Sequence, residues 1–529
     1  MLNLIDTAYF KYTNRRTGIE LLNLLQDPAN PILSYIFSHL HFLIIGLLCI
    51  FFLIKLYPSS TYLRRLSAKR MIVQSLILIP ILLIGMRGGL GLKPVKSIDA
   101  SKWVESGLES WVLNTPFQII SSFDSGKEPF PLEGRVAFHV ADSSFMRHYP
   151  TPEGVLGRPK NIVLIIVESL GKDYFGFLTQ PENDISLTPF LDSLAEHSLV
   201  FPHFFANGTR SIDALPALYA GIPDWLSRPF IYSTFQANTI FGSHYYLQKL
   251  GYKSYFYHGA ARGTMGFESF LNKVGPIEYS GLEDYPNKKE HYDGKWGIFD
   301  HYYLPYVARE LHTHKEPYFA GIFTLSSHHP YKIPEAVDNA FSQTKLPIHR
   351  SVQYADFALR ELFNSLQESP HFNNSIFVIT GDHTSHSGRE YYYTDKGKHA
   401  LFCMIFDPSN PQNRGLNYKN GQQIDIPATV LHLAGYGDPF FSLGVSLLDS
   451  TKTQPAVIRS QGSFVGILNN HVLKYQTATH ESEMYFKPNP YEHWPDSTVW
   501  DPYLEVSIKK DLKSMLKVFW KKMEENRFF

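Results

Sequence analysis

Two short stretches place acid and imidazole groups directly after apolar runs. The first is NIVLIIVESL, Asn161 to Leu170, and the second is IFVITGDH, Ile376 to His383. Five of the six residues from Ile162 to Val167 are β-branched, the pattern of a strand covered on both faces of a parallel sheet. Glu168 ends the first run, and Asp382 and His383 end the second. In open α/β sheets the ligand crevice lies outside the carboxyl ends of the strands, so these ends are expected to meet although more than two hundred residues separate them. Glu, Asp and His converging there form a metal site. Taken singly, such an acid is more often a helix cap or turn residue than a ligand.

A third stretch, ANGTRSIDALPALYAGIP, Ala206 to Pro223, carries a glycine-bearing turn through Arg210 and Ser211 into a helical segment. It sets a hydroxyl at or near a helix N-terminus. The helix dipole and unpaired N–H groups there favour an alkoxide or a bound phosphate, although an ordinary Ser or Thr N-cap also fits. A serine is a poor nucleophile at neutral pH, and coordination to a dication activates it without a neighbouring base. An oxygen-rich ligand set with one imidazole suits manganese or zinc, with magnesium also open.

The elements that must position these groups follow from Asn161 as alternating strands and helices, which predicts an α/β fold with a mostly parallel central sheet flanked by helices. A helix is expected from Thr188 to His197, with Thr188 as cap and Pro189 at its first position. His258 follows the strand-like YKSYFY, and His328 follows YFAGIFTLSS. Ser351 to Gln367 has the period of an amphipathic helix with Tyr354, Phe357, Ala358, Leu362 and Leu366 inward. Ile424 to Gly435 reads as a packing helix, and Ser463 to Tyr475 as a hairpin of a small C-terminal sheet turning at Asn-Asn-His. The tail from Ile508 is a basic amphipathic helix, for which packing on the domain is favoured over lying on an anionic membrane.

The first hundred residues differ in composition. Ile32 to Leu56 reads as a membrane helix, and Met71 to Met86, with Pro80 inside, as a shorter one, against the roughly 20 apolar residues a span needs. Lys55, Arg64, Arg65, Lys69 and Arg70 form a basic loop expected to stay cytoplasmic, which puts everything after Met86 on the outer side. The segment LIDTAYFKYTNRRTGIELLNLL before them has no signal-peptide pattern and reads as amphipathic. The expected organisation is a membrane region at 1–90 with about two transmembrane helices, a Gly/Pro-punctuated linker without strand signals at 91–160, a catalytic domain at 161–450 and a C-terminal subdomain with its tail helix at 451–529. A formal net charge of zero argues against a nucleic-acid partner. Two cysteines, Cys49 and Cys403, exclude a disulfide-built scaffold.

The joint occurrence of VES at Glu168, GTRS at Ser211, FYHG at His258, KWGIFD at Trp296, SSHHPY at His328 and GDH at Asp382 resembles the alkaline-phosphatase superfamily. More narrowly it is similar to the sulfatase-domain branch with lipoteichoic acid synthases and membrane-anchored phosphoglycerol transferases, over roughly Asn161 to Gly444. The resemblance implies one divalent cation, often manganese, held by Glu168, Ser211, Asp382 and His383, with Ser211 rather than Thr209 as nucleophile. It further implies His258 and His328 as substrate contacts, with Arg262 and His399 as further candidates, His399 also for a second metal. Most relatives carry Thr at the nucleophile position. Met265 and Phe267 stand where synthase-type members have Trp and Arg, with Arg262 as the possible substitute.

The implied activity is transfer of a phosphoglycerol-type group from a membrane phospholipid to a glycan or lipid acceptor through a phospho-serine. The implied location is the inner cell membrane, multi-pass, with the catalytic domain extracytoplasmic or periplasmic. Family members begin with about five membrane helices where this chain supplies about two, as a fragment, a misplaced start or a short form would. A phosphoethanolamine transferase or phosphodiesterase of the superfamily is the alternative. A sulfatase is disfavoured because SIDAL at Ser211 lacks the C/S-x-P-x-R pattern that formylglycine needs. A non-catalytic envelope lipid sensor would have no need of all four site residues.

Overall fold

The computed structural model describes residues 40–56, 68–88, 94–105, 108–123, 142–149, 159–180, 185–342, 344–460, 462–493 and 502–528, with isolated positions before residue 20. The N-terminal amphipathic stretch, residues 32–39 of the first apolar run and the basic loop at Arg64 and Arg65 lie outside them. The chain divides into two compact units, one of residues 1–127 with 234–238 and one of residues 128–233 with 239–529.

In the first unit the two apolar runs are helical, as α1 (Leu40–Leu56) and α2 (Ala68–Arg87). Leu47, Leu53, Ile54 and Leu76 are all more than half exposed on them. Among the described residues no helix is long and apolar enough to cross a membrane, and the first expected span runs into residues 32–39, outside them. Helix α1 has 17 residues, about 26 Å of rise against a ~30 Å hydrocarbon core. Lys69 and Arg70 occupy the first turn of α2, Arg87 its last, and Pro80 its interior. A short helix, α3 (Thr115–Phe123), belongs to the same unit, where Phe117 packs on Ala100, Leu113 and Ala237.

The second unit begins with a short strand inside the stretch expected to be strand-free linker. This strand, β1 (Met146–Arg147), pairs antiparallel with Phe440–Phe441. Arg147 is buried there and donates to the carbonyls of Gly444 and Leu443. The hydropathy of Met-Arg gives no strand signal, because the pairing is fixed by the guanidinium filling three carbonyl acceptors, Ser144 included.

Among the described residues the central sheet has nine strands. They are β2 (Asn161–Val167), β3 (Leu199–Phe205), β4 (Lys253–His258), β5 (Glu278–Ser280), β6 (Tyr318–Phe323), β7 (Ser375–Gly381), β8 (Ala400–Phe406), β9 (Gly415–Leu416) and β10 (Gly421–Gln422). Their order is β10-β3-β8-β7-β2-β6-β4-β5, with β9 paired to β3. The sheet is mixed rather than uniformly directed, since β8 runs antiparallel to both β7 and β3. Residues 382–399 between β7 and β8 contain only 3₁₀ turns. Without a crossover helix the chain must return antiparallel. Strand β2 at the centre is buried at all seven positions, as its β-branched run requires.

Helices cover both faces. On one, α4 (Pro189–Ala195), α7 (Asp300–Thr313) and α8 (Pro347–Gln367) contribute Leu191, Leu304, Val307, Ala358 and Leu362 to a core with Val163, Ile165, Ile322 and Ile379. Tyr354, Ala358, Leu362 and Leu366 of α8 are buried as the helical period predicts, and Phe357 is half-buried. On the other face Tyr219 contacts Phe256 and Phe319, which alternate with the first set along β4 and β6. Tyr219 belongs to the helix Ser211–Ala220, α5 in chain order. The packing helix expected near Ile424 is Ile426–Leu433.

The C-terminal sheet is antiparallel, with Ala456–Ser460, Ser463–Leu468, His471–Gln476 and Ser482–Phe486 in that order. Its central hairpin turns at Asn469 and Asn470 as expected, with Asn469 at φ +52°. The tail helix, Pro502–Glu524, buries Ile508, Leu512, Leu516, Phe519 and Met523. A Cβ at Gly466 would fall 2.7 Å from Ile508, so the helix sits directly on this sheet.

Candidate metal centre and active site

The register of the central strands assembles the site. Val167 of β2 is paired with Gly381 of β7, so Glu168 and Asp382 leave the sheet side by side. Gly381 is required there, because a Cβ would lie 2.1 Å from the Leu170 carbonyl oxygen. The chain then turns sharply at Ser169, whose φ of +58° is unusual for a residue with a side chain. Ser169 donates its N–H to Asp382 Oδ1 at 2.7 Å and its hydroxyl to Glu168 Oε1 at 2.8 Å. The Glu168 N–H donates to Thr324 Oγ1 at 2.9 Å, at the end of β6.

Glu168, Asp382 and His383 each offer a ligand atom, all within 4.8 Å of one another. His383 Nε2 lies 3.3 Å from Asp382 Oδ2 and 3.7 Å from Glu168 Oε1. Its Nδ1 faces the Thr384 carbonyl at 2.7 Å, a contact that orients the imidazole and leaves Nε2 turned toward the two carboxylates. Asp382 Oδ2 is buried without a hydrogen-bond partner. A buried carboxylate oxygen in that state is costly unless a cation meets it. Burial pushes the Glu168 carboxyl up to about 8, Asp382 adding to the effect while His383 opposes it. The His383 pKa is raised: burial works against the imidazolium, and Asp382 and Glu168 outweigh it. Two acids and an imidazole crowded out of water form a donor set that fits one divalent cation.

Ser211 completes the cluster. It is the first residue of α5, after Arg210 in extended conformation as N-cap. Its Oγ donates to Glu168 Oε2 at 3.1 Å and lies 3.3 Å from His383 Nε2. Ser211 is buried, whereas Thr209 is exposed and makes no hydrogen bond to this group. Arg210 forks onto Asp213 through Nε at 2.8 Å and Nη2 at 3.1 Å, bracing the first turn around the serine.

The other four predicted residues lie outside this group of ligand atoms. His258 ends β4, buried between Phe267 and Phe323, with Nδ1 3.3 Å from the Tyr279 hydroxyl. Burial, assisted by His328, holds its pKa down to about 3, so it is a neutral imidazole. His328 is half-buried with its ring 4.2 Å from that of Trp296. Arg262 is taken up by Glu268 and Asp284, at 2.8 Å each, rather than left open as a phosphate fork. His399 is buried with Nδ1 against the Ala206 carbonyl at 3.0 Å and Nε2 unpartnered. Burial and Lys398 lower its pKa to about 4.

Sequence reasoning missed Gln423 and Asn207. The Gln423 amide donates to the carbonyls of Asp382 at 2.6 Å and Gly381 at 3.2 Å, and its oxygen accepts the Asn207 N–H at 3.0 Å. One side chain thereby ties the strand end that carries Asp382 and His383 to the turn that leads to Ser211. The only signal for it is a Gln-Gln pair in GQQIDIP, polar groups ahead of an apolar helix that demand buried partners.

Residues 160–436, more than half of the chain, match the sulfatase family. The chain belongs to the sulfatase family. This sulfatase-family chain is similar to phosphoglycerol transferase I of Citrobacter koseri, 27% identical over 339 residues that cover 60% of this chain and 43% of the relative. It is also similar to phosphoglycerol transferase I of Escherichia coli, 27% identical over 326 residues, 58% of this chain and 41% of the relative. The chain thus spans less than half the length of these curated relatives.

Among solved structures, a protein of the alkaline phosphatase superfamily from Vibrio parahaemolyticus superposes with a TM-score of 0.59 at 22% identity, covering 72% of this chain and 91% of that one. The lipoteichoic acid synthase LtaP from Listeria monocytogenes superposes with a TM-score of 0.56 at 19% identity, covering 68% and 91%. These likenesses establish the fold, an alkaline-phosphatase-like α/β core with a mixed sheet and a small antiparallel C-terminal sheet.

Proposed function

We propose that the chain is a metal-dependent phosphotransferase that moves a phosphoglycerol-type group from a membrane phospholipid to an extracytoplasmic glycan or lipid acceptor through a phospho-Ser211 intermediate. The observation that carries this reading is the Ser211 hydroxyl at a helix N-terminus, in hydrogen-bond reach of both Glu168 and His383. The similarity to phosphoglycerol transferase I of two bacteria supports it.

Glu168, Asp382, His383 and the Ser211 oxygen would hold one divalent cation, with manganese favoured and zinc or magnesium as alternatives. When bound, it supplies charge that stabilises the serine alkoxide and the phosphoryl oxygens. Glu168 Oε2 is the nearest acceptor for the Ser211 proton. Ser211 Oγ forms the new bond to phosphorus as the lipid alkoxide leaves, and an acceptor hydroxyl later displaces the serine. The first-turn N–H groups of α5 would be available to the phosphoryl oxygens, and the neutral imidazole of His258 would serve as a hydrogen-bonding partner for substrate. The exposed aliphatic side chains of α1 and α2 are the basis for proposing attachment to the cell membrane, with the catalytic unit outside.

A phosphoethanolamine donor is the second reading. Glu268 and Asp284 occupy the Arg262 guanidinium, which weakens the case for an arginine fork on an anionic group. To test both, the full chain in detergent is incubated with manganese, zinc or magnesium and either phosphatidylglycerol or phosphatidylethanolamine, then analysed by intact mass. A phosphoglycerol adduct lost in Ser211→Ala is the expected result. A phosphoethanolamine adduct would move the assignment to the second reading, and no adduct with any metal would refute both.

A further inference from the structure

A cavity of about 60 Å³ opens beside the two loops that carry the metal ligands. Asp173 lines it five residues after Glu168, and Ser387 and Arg389 line it shortly after His383. Asp173 is 8% exposed, and its carboxylate oxygens make no well-formed hydrogen bond, with Ser387 the side-chain donor beside them. A Cβ at Gly171 would fall 2.6 Å from Asp173 Oδ1 and 3.3 Å from Thr384 Cγ2, so the carboxylate fills the gap between the two loops. Burial raises the Asp173 pKa to about 7, with Ser387 and Arg389 pulling it back. Nothing in the phosphoryl-transfer chemistry uses this acid, and leaving it so poorly bonded is costly unless a ligand donates to it.

The lining selects the ligand. Among the described residues the one group of side chains placed to hold a metal ion excludes Asp173. An anion is disfavoured by the Asp173 carboxylate, and a cation by Arg389 and Lys345 on the same walls. A neutral molecule rich in hydroxyls satisfies both, since each hydroxyl donates to the acid and accepts from the bases. At roughly 10–15 Å³ per water-sized sphere, the cavity holds a three-carbon polyol or one edge of a sugar ring.

We propose that this cavity is a subsite for a vicinal diol, with Asp173 accepting its hydroxyl hydrogen bonds. Under the phosphotransferase reading on which this rests, the diol belongs either to the glyceryl group of the donor or to the sugar of the acceptor.

Saturation-transfer NMR on the full chain in detergent, with glycerol and methyl glucoside as probes, tests the subsite without any turnover. Asp173→Asn preserves the shape, and Gly388→Leu adds bulk at an exposed lining position. Binding to the unaltered chain and at least tenfold weaker binding in both variants, with the fold retained by circular dichroism, are expected. Equal affinity in both variants, or no binding to the unaltered chain, would overturn the proposal. Because this readout needs no catalysis, polyol binding by a chain that transfers nothing would refute the phosphotransferase reading and leave the subsite standing. Kinetics then separate the sources. A raised KM for added glycerol alone in Asp173→Asn assigns the acceptor, and a raised KM for a glycerophosphodiester alone assigns the donor. Unchanged KM for both would again overturn the proposal.

Discussion

The ends of β2 and β7 and the ends of β4 and β6 meet substrate chemistry in different ways. At the first pair the ligands are adjacent through strand register, buried, and cross-braced by Ser169, Thr324 and Gln423. At the second, His258, His328 and Arg262 each lean on local partners of their own, Tyr279, Trp296 and a carboxylate pair. Register fixes the positions of Glu168, Asp382 and His383, while His258, His328 and Arg262 are held by local contacts. A family can therefore keep the first region while the second changes specificity.

The largest expected effect belongs to the braced region. Ser211→Ala should reduce turnover by on the order of 10⁴-fold or more, measured with a chromogenic phosphodiester, with the fold unchanged by circular dichroism. Gln423→Ala should weaken metal affinity by about 10–100-fold although Gln423 touches no metal, as read by metal titration calorimetry. Equal affinity would mean that the brace is dispensable and the contrast between the two regions is overstated. His258→Ala should raise KM by about tenfold, the scale of one lost hydrogen bond of ~1.4 kcal/mol, without changing metal content.

Glu168 sharpens the comparison through pH. Its carboxyl is raised from 4.5 to about 8, chiefly by burial. A folded-state pKa above the unfolded one stabilises the protein below about 4.5 and loses that contribution as pH rises toward about 8. The metal-free chain should therefore melt at a higher temperature as Glu168→Gln than unaltered at pH 8, with the difference shrinking at pH 5. The smallest effect is expected in the second region. Arg262→Ala should change stability by no more than about 1 kcal/mol, the range of exposed ion pairs, and turnover by less than about threefold on a simple diester.

The β-branched run before Glu168 and the apolar run before Asp382 made both strands, and the meeting of their ends, legible from sequence, because a buried strand writes its environment into every residue. Ser211 was legible through its turn and the family resemblance. The direction of β8 was not, because antiparallel return depends on a loop containing no helix, which no local pattern in residues 382–399 announces. Gln423 and Asp173 were invisible for a related reason: each matters through partners far away in sequence or through the partners it lacks. The Met-Arg strand at 146–147 depends likewise on carbonyls some three hundred residues away.

The most direct test of the account is the metal content of the full chain after incubation with manganese and desalting, measured by inductively coupled plasma mass spectrometry together with phosphodiester turnover. The account predicts about one ion per chain, lost together with activity in Asp382→Asn and retained in His399→Ala. Full activity in metal-stripped protein, or undiminished metal content in Asp382→Asn, would contradict it.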